Sequence, residues 1–281
     1  MIDWFSNEEK IGAIPLNDRG FQYGDGLFET IAIRDGELRL WHYHVARLAR
    51  GCKTLGIKMP SDDFLRKGVM HALHKSDTKK SSAIAKIIIT AGVGPRGYGR
   101  TENISPSTLF AVFPVIPYRA AAYKDGIDLA LCQTRLAINS SFAGLKTLNR
   151  LEQVLARNEF NETELTEGLT MDADDNIICG TMSNVFFIEG RTVHTPSLNR
   201  CGVAGVMRQH ILTCLEEQKI STKIHKINFS EIRDFDEAFI SNSQIGILPV
   251  RCCGNTHWKS TERTQEIMLI MAANKVIECH L

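Results

Sequence analysis

The chain has 281 residues, 43% of them hydrophobic, and carries 33 Lys and Arg against 32 Asp and Glu for a net charge of +1. That length and apolar content suit one large or two modest domains with a real core. The balanced charge argues against nucleic acid or an anionic membrane surface as a partner, and no apolar run approaches the roughly 18 residues of a membrane span. The eight cysteines include no C-x-x-C pair, which argues against a zinc site and against a disulfide framework. The opening residues lack the charged-then-apolar pattern of a signal peptide. A reduced, cytoplasmic protein with no metal is the expectation.

In chain order, residues 13–40 read as β structure. Phe28 to Arg34 alternates, Asp35-Gly36 turns, and Glu37 to Trp41 returns; a two-residue Asp-Gly link between such runs is a strong hairpin signal. Gly20, Gly24 and Gly26 precede it and allow a tight bend or close approach to a ligand. Val45, Leu48, Cys52 and Leu55 form a helical stripe over 42–56 that stops at Gly56. Arg47 lies off that stripe, as a solvated arginine or as an anion contact. A second helix spans Ser61 to His74, and a strand runs from Ile84 to Thr90.

The segment Ala91 to Arg100 holds four glycines and a proline and cannot be regular structure. Its Arg96, Tyr98 and Arg100 suit a loop that reads carboxylates, or simply a surface loop. Prolines around 115–122 mark a domain boundary. Beyond it the pattern predicts a strand at 127–132, a strand pair over 168–171 and 177–179, a hairpin over 185–194, a helix from Gly202 to about Lys219, a strand at 238–243 and a terminal helix over 263–280. A glycine-flanked helix start favours a phosphate, though glycine often merely precedes a helix.

One lysine stands out. Phe142-Ala143-Gly144 leads to Lys146, after which Leu148, Leu151 and Leu155 recur at helical spacing. This predicts a helix starting at once, with a buried face and Lys146 at its entrance. A partly desolvated lysine loses its charge readily and can add to an aldehyde. A lone lysine is usually an exposed one, so the rest of the pattern has to single it out.

Five spaced blocks do so together: Asn17 to Gly26, His44 to Leu48, Lys146 to Asn149, Gly180 to Phe186, and Gly202 to Arg208. In this order they resemble the fold-type IV pyridoxal-phosphate enzymes, which include branched-chain and D-amino-acid aminotransferases and aminodeoxychorismate lyase. The resemblance implies an α/β (α+β) protein of two domains, 1–118 and 119–281, with the lysine in the second and the active site between them. It implies pyridoxal 5'-phosphate as cofactor, Lys146 as Schiff-base lysine and proton shuttle, and Arg47 as a phosphate ligand. The N–H groups of Val206 and Met207, with Asn242 and Ser243, would complete the phosphate cup, and Val203 would pack on the pyridine ring. A homodimer acting on a small molecule is also implied.

The run Lys146 to Gln153 and the Arg96-Gly97-Tyr98 loop most resemble the lyase branch, which converts 4-amino-4-deoxychorismate to 4-aminobenzoate and pyruvate in folate synthesis. There Arg96, Tyr98 and Arg100 would meet substrate carboxylates, and the Thr30 hydroxyl would face the reacting carbon. One position departs from the family pattern. Where the family carries a glutamate for the pyridine nitrogen, this chain has Cys179. A buried thiol cannot keep that nitrogen protonated as a carboxylate does. The departure favours lyase chemistry, driven by aromatisation, over a D-amino-acid or branched-chain transaminase. It is also compatible with a weakened, ligand-binding relative.

Overall fold

The computed structural model describes residues 2–78, 80–102, 104–161, 165 and 167–280. Two compact units emerge: Met1–Ile116 together with Leu145–Asn149, and Pro117–Gly144 together with Arg150–Leu281.

The first unit is a six-stranded antiparallel sheet in the order β2-β1-β6-β5-β3-β4. Its strands are β1 (Trp4–Ser6), β2 (Glu9–Ile11), β3 (Gly26–Arg34), β4 (Glu37–Leu38), β5 (Ser82–Thr90) and β6 (Ser107–Pro114). Asp35 and Gly36 both take positive φ, 51° and 78°, the geometry that matches strand twist in a tight hairpin. Helices α2 (Trp41–Leu55) and α3 (Asp62–Lys75) supply the core on one face, where Leu48, Leu65 and Val69 pack on Ile31, Ile87 and Phe110. Gly56 at φ 63° ends α2, and the Ser61 hydroxyl accepts from Phe64 N to start α3. The alternating burial of β5 shows that the opposite face is only half-buried. One expectation fails: the β reading of 13–40 overran its start, because Asp18 caps a short helix, α1 (Arg19–Tyr23), by accepting from Gly20 N.

The second unit holds nine strands in the order β12-β11-β10-β13-β14-β7-β8-β9, with β15 on β14. They are β7 (Ile127–Leu136), β8 (Glu167–Asp172), β9 (Ile177–Gly180), β10 (Asn184–Glu189), β11 (Thr192–Pro196), β12 (Thr222–His225), β13 (Glu237–Asn242), β14 (Gly246–Cys253) and β15 (Thr256–His257). Most neighbours are antiparallel, but β11 with β12, β14 with β7 and β7 with β8 run parallel. The helices are α4 (Ala120–Asp125), α5 (Leu151–Asn158), α6 (Val206–Glu217) and α7 (Glu262–Ala273). Two differ from expectation: α6 begins at Val206 rather than Gly202, and α7 ends at Ala273 rather than 280. Buried Glu237 takes four hydrogen bonds, from Ser260 Oγ, Arg263 N, Thr264 N and Thr264 Oγ1, and so anchors the start of α7. No helix among the described residues is long and apolar enough to cross a membrane.

The largest correction concerns the lysine. No helix follows Lys146 at once. Residues 146–148 add instead to the open edge of β3: Phe28 N donates to Lys146 O, and Leu148 N to Gly26 O, both at 3.0 Å, around a Leu27–Thr147 bridge. These contacts place Leu145–Asn149 with the first unit rather than the C-terminal domain. Helix α5 starts only at Leu151, and its apolar side is not buried within the chain: Leu151, Val154 and Leu155 are 78%, 52% and 59% exposed.

Candidate active site

In the first unit the sheet edge decides where Lys146 points. Side chains alternate across a strand, so buried Thr147 goes one way with Leu27 and Lys146 the other. Lys146 Nζ sits 4.3 Å from the centre of the Phe28 ring. Phe28 and Thr30 are two apart on β3 and share that face; Thr30 pairs directly with Lys86 on β5. Lys86 Nζ approaches the same ring at 5.4 Å, and burial lowers its pKa. The half-buried face thus gathers Phe28, Thr30, Lys86 and Lys146. Sequence reasoning noted the strand but missed Lys86. The available signal was one lysine amid Ile84, Ile87, Ile88 and Ile89.

The covered face of β3 carries the opposite charge. Glu29 is fully buried. Arg47 Nε donates to its Oε1 at 2.7 Å and Arg47 Nη2 to its Oε2 at 2.5 Å, and His44 Nδ1 bonds Oε2 at 2.6 Å. Burial works to raise the Glu29 pKa, but the charges of Arg47 and His44 and their hydrogen bonds outweigh it and hold the group at about 2. Burial lowers the pKa of His44. A carboxylate only accepts, so Nδ1 is the donor. Arg47 is therefore neither solvated nor wholly available to an anion; two of its nitrogens already serve Glu29.

The glycine-rich loop is pinned rather than loose. Arg19 donates to the carbonyls of Gly97, Tyr98 and Gly99 and to Asp25. The Arg100 guanidinium is spent on the Asp25 carboxylate and on Leu55 O and Gly56 O. This corrects the reading of Arg100 as a substrate contact: its donors face other partners. Burial tends to raise the Asp25 pKa, yet Arg100 and Arg19 bring it below the usual carboxylate range. Arg96 and Tyr98 are exposed at the loop's tip, Tyr98 by 87%.

In the second unit Asn184 ties three segments together. Its Oδ1 accepts from Gly205 N at 3.1 Å, its Nδ2 donates to Val203 O at 3.0 Å, and it pairs with Ser241 beside Asn242. Gly205 has to be glycine here, since a Cβ would lie 2.0 Å from Asn184 Oδ1. Asn184 thus joins the approach to α6 to the end of β13, while Asn242 Oδ1 closes the turn at Ser243 by accepting from Gln244 N and Ile245 N. No side chain caps α6, so the N–H groups of Val206 and Met207 open a helix terminus with positive character. Asn184 was inside a resembling block, but its role shows only in the hydrogen bonds.

The buried Cys179 sulfur takes a hydrogen bond from the Val203 backbone N–H and lies 3.7 Å from the Thr170 hydroxyl oxygen. Burial pushes the thiol up to about 11, so it is neutral at pH 7. The carboxylate nearest in effect is Glu167. Its two oxygens accept from Gly168 N, Thr181 N and Oγ1, Met182 N and Ser183 Oγ. Glu167 is committed to holding the Gly180–Ser183 turn and does not replace the missing acid. Among the described residues no cluster of three or more acid, histidine or cysteine side chains could hold a metal.

The signature of the Amino-transferase class IV family matches residues 26–253. The chain belongs to that family. Aminodeoxychorismate lyase of Vibrio harveyi is 37% identical over 84% of this chain and 86% of its own. The crystal structure of 4-amino-4-deoxychorismate lyase from Pseudomonas aeruginosa matches with a TM-score of 0.90 at 36% identity, covering 98% of this chain and 99% of the other. Escherichia coli branched-chain amino acid aminotransferase matches with a TM-score of 0.84 at 22% identity, over 98% and 95% of the two chains, and shares the fold. This family of enzymes depends on pyridoxal phosphate. Each unit by itself offers groups of the kind that cofactor needs: in the first, a lysine amine on an aromatic ring, suited to an aldehyde; in the second, a helix start with no side-chain cap, suited to a phosphate. At the position expected to meet the ring nitrogen the chain offers a neutral thiol.

Proposed function

We propose that the chain is a pyridoxal-phosphate-dependent 4-amino-4-deoxychorismate lyase that releases 4-aminobenzoate and pyruvate. The single observation that carries this reading is the buried Cys179, neutral at pH 7, with no spare carboxylate beside it among the described residues, in a chain whose lyase relatives match over 84% and 98% of its length. Transamination draws more on a protonated ring nitrogen than does a reaction pulled forward by aromatisation.

Lys146 would carry the cofactor and move the proton at the amine-bearing ring carbon. Bound, the cofactor supplies a conjugated system that accepts the electron pair left at that carbon. The Phe28 ring steadies the Lys146 amine through the ring's negative face. The hydroxyl of Thr30, on the same face, would meet the reacting carbon. Val206 and Met207 N–H, Asn242 and Ser243 would hold the phosphate, with Arg47 adding its positive charge. Val203 and Cys179 would line the ring. Lys86 is a second cation on the Lys146 face and, with Arg96 and Tyr98, would bind substrate carboxylates. Lys86→Met should raise KM by roughly 10–100-fold with a smaller change in kcat, the cost of one charge-assisted bond; initial rates against substrate concentration check it.

The protein would act as a homodimer in the cytoplasm. The exposed stripe Leu151, Val154 and Leu155 on α5 is an apolar face of the kind that a second copy covers, and all eight cysteines are unpaired, as in a reducing compartment. Leu151→Lys with Leu155→Lys should give a monomer by sedimentation where the parent chain is dimeric. A persistent dimer would place the interface elsewhere.

The function is tested by offering D- and branched-chain amino acids with a 2-oxo acid, and separately 4-amino-4-deoxychorismate with and without that acceptor. Consumption of the chorismate indifferent to the acceptor, with at most trace amino transfer, supports the lyase. Amino transfer outpacing it would make the chain a transaminase.

A further inference from the structure

Away from these residues, helix α6 and the edge strand β12 enclose a groove of about 600 Å³. Arg208 lines it and is 8% exposed. Its Nε donates to Thr195 Oγ1 at 3.3 Å and its Nη2 to Pro196 O at 3.1 Å. Both acceptors are neutral, and among the described residues no carboxylate bonds to it. Burial pushes its pKa down to about 10 with nothing offsetting the shift, so it stays cationic at neutral pH. A buried cation without a counter-ion is costly and is ordinarily paired.

We propose that this groove is a binding site for a small organic monocarboxylate with an apolar body. Arg208 supplies the buried cation, and its Nη1 carries no bond among the described residues. Lys219 adds a second positive charge to the lining and Ser221 a hydroxyl donor. Leu212, Ile220 and Ile224 give apolar walls, which a bare inorganic anion would not use. Glu216 shares the lining and repels a dianion, which selects a single negative charge. A guanidinium fork matches a carboxylate in shape as well as in charge.

The test is titration calorimetry of the holoprotein with benzoate at pH 7, alongside Lys219→Glu, an exposed change that leaves the core untouched, and Arg208→Gln. The expected result is benzoate affinity falling about tenfold in Lys219→Glu and roughly 10–100-fold in Arg208→Gln, with inorganic phosphate weaker than benzoate throughout. A crystal soaked with 4-bromobenzoate should place bromine in the groove. Benzoate affinity unchanged in folded Lys219→Glu and Arg208→Gln proteins, or bromine found only elsewhere, would overturn the site. Phosphate binding more tightly than benzoate would overturn the assignment of its ligand.

Discussion

Lys146→Ala loses turnover by at least about 10³-fold while melting close to the parent chain. The chemical loss follows from removing the group that would both join the cofactor and move the proton, since general acid–base catalysis alone contributes 10²–10⁴-fold. The structural tolerance follows from how the segment is held. Its anchors are main-chain bonds, Phe28 N to Lys146 O and Leu148 N to Gly26 O, and alanine keeps both. The cation over the Phe28 ring is lost, worth about 0.5–2 kcal/mol. Lys146→Arg should be as silent, because a guanidinium does not give up its proton. Steady-state rates beside thermal melts check this; a folded alanine variant within tenfold of the parent rate would remove Lys146 from the chemistry.

Glu29→Gln destabilises the chain by about 3–5 kcal/mol, the usual cost of breaking a buried ion pair from one side. The carboxylate is fully buried between Arg47 and His44, and the neutral amide leaves the guanidinium without its counter-charge. The same network predicts a pH dependence. The folded-state pKa of Glu29 is depressed from an ordinary 4.5 to about 2. Its contribution is therefore complete above pH 4.5 and is lost as pH falls from there towards 2. The gap corresponds to about 3 kcal/mol. Urea unfolding across that window should show the fall in the parent chain and a correspondingly shallower one in Glu29→Gln. Equal slopes in the two proteins would mean that Glu29 titrates normally.

Much of this was legible from residues. The Asp35-Gly36 hairpin, the α2 stripe ending at Gly56, and the β5 strand rest on local signals, turn chemistry and period, and the structure carries them where expected. What failed were segments whose fate is settled at a distance. Leu148, Leu151 and Leu155 have helical spacing, yet an unpaired strand edge 120 residues earlier claims the first turn. From local pattern Arg47 reads first as a surface charge, and Arg100 as either a surface charge or an anion ligand. Only the partners, Glu29 and Asp25, show that both are consumed largely by the fold. Lys86 was hidden because an alternating strand gives no hint of what its outward face meets. Cys179 was visible as a departure, but its neutrality and the commitment of Glu167 elsewhere needed the burial and hydrogen bonds.

Product stoichiometry decides between lyase and transaminase most directly. Holoprotein incubated with 4-amino-4-deoxychorismate and no 2-oxo acid should release 4-aminobenzoate and pyruvate in equal amounts, over many turnovers per active site. A protein that carries the cofactor yet releases neither product, or stops after a single turnover until an oxo acid is added, would contradict the lyase reading.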